Sequence, residues 1–175
     1  MEFSVGDQVV HPKHGVGRIT GQEQLQLVEG FENYFVIEIG TKGLVVHVPI
    51  RKMEELGVRP IMTQSKLPRV MDTLRDTPFR LSANFKTRQS QAREKIKTGR
   101  PLKIAEVVRD FTWRKHRKSL SAADARLLDQ GLTMLSAEIA MVTNTDPLDT
   151  QNTISQMLAQ AMNGSNGKDL EQAVG

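Results

Sequence analysis

Between Arg80 and Lys118 the sequence places cations at short intervals among apolar residues: Lys86, Arg88, Arg93, Lys95, Lys97, Arg100, Lys103, Arg109, Arg114, Lys115, Arg117 and Lys118. Such side chains release condensed counterions when they meet a phosphate backbone, so the chemistry on offer is recognition of a polyanion. Phe85 stands at the head of this stretch, after Leu81-Ser82-Ala83-Asn84, where either Ser82 or Asn84 can cap a helix. A helix starting there would leave an aromatic ring on its first turn beside Lys86 and Arg88, an arrangement suited to wedging or stacking against a distorted minor groove. Two plainer readings stand beside this one: Phe85 packed in a helical core, and the cations as a solvated face. The charge block by itself does not separate DNA from RNA.

Other chemistries find little support. Cysteine is absent, which excludes disulfides and thiolate catalysis or metal binding, and the four histidines lack the close pairing of a zinc helix. Carboxylates are isolated rather than paired, so no enzyme, cofactor or metal site is expected. The net charge of +4 hides a strong asymmetry. Residues 1–59 carry 6 Lys/Arg against 8 Asp/Glu, residues 60–118 carry 16 against 5, and residues 119–175 carry 2 against 7. With 38% hydrophobic and 25% charged residues the composition is that of a protein folding in water. No apolar run approaches the roughly 20 residues of a membrane span, and the start MEFSVGDQVV has no signal-peptide pattern. A cytoplasmic location without membrane contact is the expectation.

The elements that would position these groups change character along the chain. The first sixty residues read as short β-branched strands punctuated by glycine. In Phe35-Val36-Ile37-Glu38-Ile39 and Leu44-Val45-Val46-His47-Val48, the alternating residues Phe35, Ile37, Ile39 and Leu44, Val46, Val48 are predicted to share an inner face, with Gly40-Thr41-Lys42-Gly43 as the hairpin turn. Five such strands make a small Tudor-like or SH3-like β-barrel whose partly open sheet leaves an edge for a partner. From Leu67 the period becomes helical: Leu67, Val70, Met71 and Leu74, then Ile104, Val107, Val108 and Phe111. Leu128, Leu132, Leu135, Ile139 and Val142 follow, in a segment whose start has Ser121 as N-cap. Ile154, Met157, Leu158 and Ala161 close the series. The predicted class is α+β, with a β-barrel over 1–62, an all-α helical domain over 63–162 and a disordered tail at 163–175. The single tryptophan, Trp113, is expected to be packing or surface. No dimerisation heptad is present, so a monomer is expected.

Three stretches carry a family resemblance: FxVGDxVVxPxHGVGxI from Phe3 to Ile19, VPxxKMxELGVRP from Val48 to Pro60, and KIAEVVRDF…LSxxDxRLLxxxxxxLxxEIA from Lys103 to Ala140. Together they resemble the CarD/CdnL family of bacterial transcription regulators over about residues 2–162. The resemblance implies an N-terminal Tudor-like domain that binds the RNA polymerase β subunit and a helical domain that binds promoter DNA at the upstream edge of the −10 element, stabilising the open complex. It implies a polymerase contact through the edge strand Leu44, Val45, Val46, His47, Val48 and Pro49, and a DNA wedge at Phe85; with the cap and the cations around that ring, the expected DNA-contacting set is Asn84, Phe85, Lys86, Arg88, Arg93 and Lys95. It also implies nucleoid association through the polymerase. Two positions depart from the family pattern. His47 stands where an Arg is common and brings no permanent charge or bidentate fork. Phe85 stands where the family wedge is Trp, keeping a flat ring but losing the indole N–H donor. Leu25 likewise replaces a cation found in some relatives. A protein-interaction module without DNA contact is the rival reading.

Overall fold

The computed structural model describes residues 2–40 and 43–164. The chain divides into two compact units, residues 1–61 and 62–175. In the first, among the described residues, strands β1 (Gln8–His11), β2 (Gly15–Val28), β3 (Phe31–Ile39), β4 (Leu44–Pro49) and β5 (Arg59–Pro60) form one sheet in the order β4-β3-β2-β1-β5. The pairs are antiparallel, and β2 shifts register against β3 between Ile19 and Gly21 and again between Gln24 and Val28. Such irregularities increase local twist and help a short sheet curl over its own core. Gly17 lies opposite Ile39 where the strands approach so closely that a β-carbon would sit 2.6 Å from the carbonyl oxygen of Glu38. A side chain cannot be accommodated there without parting β2 from β3.

Val9, Ile19, Phe35, Ile37, Ile39, Val48, Met53 and Val58 are buried together as the core of this unit. The alternation read from the sequence holds for Phe35, Ile37, Ile39 and Val48, and Val46 packs partly against the same cluster. Leu44 departs from it. Its register partner is Ile39, yet it remains 46% exposed, because it begins the strand beside the turn and lies at the rim of the core. Gly40 and Gly43 flank that turn at φ of +58° and +66°, a region glycine enters without steric cost. Thr41 and Lys42, expected at the centre of the turn, lie outside the described residues.

His11 ends β1 with its ring centroid 4.6 Å from that of His14. Burial, reinforced by the charges of His14 and Lys13, pushes the His11 imidazole down from 6.5 to about 4. A base depressed in the fold favours the folded state above its ordinary value, and this contribution fades as pH falls from 6.5 toward about 4. The His11 ring is therefore expected to be neutral at pH 5.5 in an NMR titration of the folded protein. A midpoint near 6.5 would contradict this packing.

The second unit is helical: α1 (Leu67–Arg75), α2 (Phe85–Lys97), α3 (Pro101–Arg117), α4 (Ala122–Thr143) and α5 (Pro147–Gly164). Pro68 and Pro101 occupy first turns, where the missing N–H costs nothing. Val70, Leu74, Ile104, Val108, Leu135, Ile139, Ile154 and Leu158 form the main core, one face of four helices. A second cluster, Ala92, Ile96, Val107, Phe111 and Leu127, fastens α2 onto α3 and α4. Leu128, Leu132 and Val142, expected on the buried stripe of α4, pack partly buried against the main core. The final helix runs to Gly164, so Asn163 and Gly164, read as the start of a tail, belong to a helix; the remainder of that stretch lies outside the described residues. Among the described residues no helix is long and apolar enough to cross a membrane.

Candidate nucleic-acid and partner interfaces

Asn84 is the N-cap of α2, as one of the two sequence alternatives had it. Its Oδ1 accepts hydrogen bonds from the backbone N–H of Lys86 at 2.9 Å and Thr87 at 3.2 Å. Phe85, the first residue of the helix, is 56% exposed, so the reading that places it in the core is overturned. The hydrophobic residues buried on α2 are Ala92 and Ile96, and Phe85 is not part of the cluster they form with α3 and α4. Lys86, next in the chain, is exposed, and so is Arg93 two turns along, whose Nη2 lies 3.5 Å from Gln89 Oε1. The first turn thus presents a ring, a cation and the positive end of the helix dipole, a combination favourable to phosphate.

Two of the expected DNA-contacting cations are committed elsewhere. Arg88 is 4% exposed and Asp124, in the first turn of α4, is 1% exposed. Arg88 Nη2 and Nε donate to Asp124 Oδ2 at 2.8 and 3.2 Å, while Nη1 donates to the carbonyls of Ser82 at 2.8 Å and Ala83 at 3.2 Å. Gln89 Nε2 donates to the other Asp124 oxygen at 3.0 Å, and the Asp124 N–H donates to the capping hydroxyl of Ser121 at 3.1 Å. Burial pushes the Asp124 carboxyl up, but the hydrogen bonds from Arg88 and Gln89 outweigh it and hold the group below the usual carboxylate range. Direct contact of Arg88 with DNA does not fit this burial. Lys95 is half-buried, 3.0 Å from Glu106 and 5.7 Å from the centroid of the Phe79 ring. Burial raises the Glu106 carboxyl, yet hydrogen bonds from Lys103 and Lys95 bring it below its ordinary value.

Arg109, counted in the basic block, is also internal: its Nε donates to Asp110 at 2.8 Å, Nη1 to the carbonyl of Thr73 at 3.2 Å, and its guanidinium lies 4.7 Å from the Phe79 ring. Burial pushes the Asp110 carboxyl up despite Arg109. Trp113 is buried, in line with a packing role. The exposed cations of the stretch include Lys86, Arg93, Lys97, Arg100, Lys115 and Lys118. The network of Asp124 and Gln89 was missed by sequence reasoning. The available signal was spacing: Arg88, Ala92 and Ile96 follow at intervals of four, which puts Arg88 on the buried stripe of α2.

In the first unit β4 is an end strand of the sheet, paired only with β3 among the described residues. Val48 and Pro49 are buried, whereas Val45 and His47 face outward, opposite Glu38 and Val36. His47 Nε2 lies 3.2 Å from Glu23 Oε2 on β2, so its outward nitrogen already has a partner on the same face. The edge is thus an apolar strand with one imidazole rather than a charged rim.

Residues 3–62 match the family described as "CarD-like/TRCF RID domain", and residues 69–155 match "CarD, C-terminal domain". The chain is 30% identical over 140 residues to the "Putative transcription factor YdeB" of Bacillus subtilis (strain 168), an overlap covering 80% of this chain and 92% of that protein. A β unit and a helical unit that carry both halves of this signature in order leave one assignment: the chain belongs to the CarD family of transcription regulators.

Proposed function

We propose that the chain holds the RNA polymerase β subunit through the edge of β4 and promoter DNA through the first turn of α2, near the upstream edge of the −10 element, and so stabilises the open complex. The observation that carries this reading is the exposed ring of Phe85 at a capped helix start beside Lys86. With 56% of its surface in water, the ring forgoes about half of the roughly 1.5–3 kcal/mol that full burial brings, which a partner that covers it recovers. An unstacked base step offers such cover and regular duplex does not. Differential binding of this kind is the way a ligand shifts the balance toward the melted state. The match of residues 3–62 to a CarD-like/TRCF RID domain supports the polymerase contact. With both partners held by one short chain, the second contact becomes intramolecular, and two weak interfaces suffice. No covalent chemistry is involved, and the protein works as a monomer in the cytoplasm alongside the nucleoid-bound polymerase.

Because Arg88, Lys95 and Arg109 are engaged internally, fewer cations are left to meet phosphate than the basic block suggests; of the expected DNA-contacting set, Lys86 and Arg93 remain exposed. Affinity for a duplex with a premelted −10 bubble is expected to fall roughly 10- to 150-fold between 50 and 200 mM salt, as for two to four neutralised phosphates. Little sequence preference beyond DNA shape is expected. The internal pairing also favours a second reading, a protein-interaction module that never touches DNA. An affinity indifferent to salt, or none, would support that reading against the first.

A further inference from the structure

Arg88 is placed where a DNA-binding cation was expected, but every hydrogen bond recorded for it runs inward. One end of its guanidinium meets Asp124 at the start of α4, and the other meets the carbonyls of Ser82 and Ala83, the two residues before the cap of α2. Gln89, on the next position of α2, fills the remaining Asp124 oxygen. Arg114 on α3 brings its Nε to 4.0 Å from Asp124 Oδ2. One carboxylate thus gathers the starts of two helices and a third helix around the turn that carries Phe85.

We propose that Arg88, with Asp124 and Gln89, is a positioning device for Phe85, fixing the Ser82–Asn84 turn so that the ring projects at a set angle. This inference rests on the proposed role of Phe85 above. A buried ion pair is a poor source of net stability, since burying the charges offsets most of their attraction, and its better-attested use is to fix register. Here the register in question is a turn of three residues with no regular backbone pairing of its own. Guanidinium geometry suits the task, because its planar fork reaches a carboxylate and two carbonyls at once, which an ammonium on a flexible stem does not.

Two variants separate positioning from stability. The double variant Arg88→Met with Asp124→Leu replaces the pair by apolar groups and is expected to melt near the temperature of the parent, relief of two buried charges offsetting the hydrogen bonds that Gln89, Ser82 and Ala83 lose. Arg88→Lys keeps the charge opposite Asp124 but gives up the fork to Ser82 and Ala83. Both are expected to fold, to exchange the backbone amides of Lys86 and Thr87 faster with solvent, and to shorten open-complex lifetime to the level of Phe85→Ala. A purely structural pair predicts the opposite: in whichever variant remains folded, amide exchange and lifetime match the parent, and the inference falls. The Phe85→Ala arm keeps the two questions apart. If that variant leaves lifetime unchanged, the role of Phe85 itself is wrong. If it shortens lifetime while the folded Arg88 variants do not, the role of Phe85 stands and only its positioning by Arg88 is refuted.

Discussion

Phe85→Ala is expected to shorten the lifetime of the open promoter complex by roughly 5- to 150-fold, the factor that corresponds to losing about 1–3 kcal/mol of aromatic stacking. The expectation follows from exposure. With 56% of its surface in water, Phe85 contributes little to the helical core, so its removal has little effect on folding. The whole of the effect should appear in the bound state, as faster collapse of the melted complex with polymerase binding intact. Phe85→Trp is expected to lengthen the lifetime, since the indole covers more of a base step and adds an N–H donor. Decay of open complexes after a competitor challenge, with polymerase alone as the baseline, compares both variants with the parent. An unchanged lifetime in Phe85→Ala would remove the wedge from the mechanism.

Asp124→Ala is expected to destabilise the helical unit by about 3–5 kcal/mol, because it leaves the Arg88 guanidinium buried without its counter-charge. It also removes the acceptor for Gln89. Urea or thermal unfolding checks the value, and a loss under about 1 kcal/mol would show that the site is open to water, since exposed pairs are worth no more. The pH dependence has a definite sign. A carboxyl held below its ordinary value stabilises the fold fully above 3.8 and ceases to do so as pH falls below it. The parent should therefore lose this contribution only in strong acid, whereas Asp124→Ala lacks it at every pH. Asp110 acts the other way, since burial raises its carboxyl and its ionised form is the costly one.

The elements that could be read from the sequence are those whose burial comes from apolar residues at a regular period. The β3–β4 hairpin follows from alternation around two glycines, and α1, α3 and α5 from stripes of Leu, Ile, Val and Met. The α2 helix was harder to read, because Arg88 and Gln89 occupy the stripe that Ala92 and Ile96 continue. A buried cation looks like a surface cation until its partner is known, and Asp124 lies 36 residues further on. For the same reason the basic block overstated the surface charge: Arg88 and Arg109 belong to the interior. Leu44 shows the complementary limit, since alternation gives the face of a strand but not where the core ends along it. The start of α2 was legible, because capping chemistry is local, but the choice of Asn84 over Ser82 and the exposure of Phe85 were not, since both depend on what packs against the turn.

The central claim is that the first turn of α2 meets melted promoter DNA while β4 holds the polymerase. Replacing Phe85 by the photo-crosslinking residue benzoylphenylalanine and irradiating the complete polymerase–promoter complex tests it most directly. The crosslink is expected on DNA at the upstream edge of the −10 element, and far more strongly when polymerase is present to melt the promoter. A crosslink to a polymerase subunit instead of DNA, or equal DNA crosslinking without polymerase, would contradict the account.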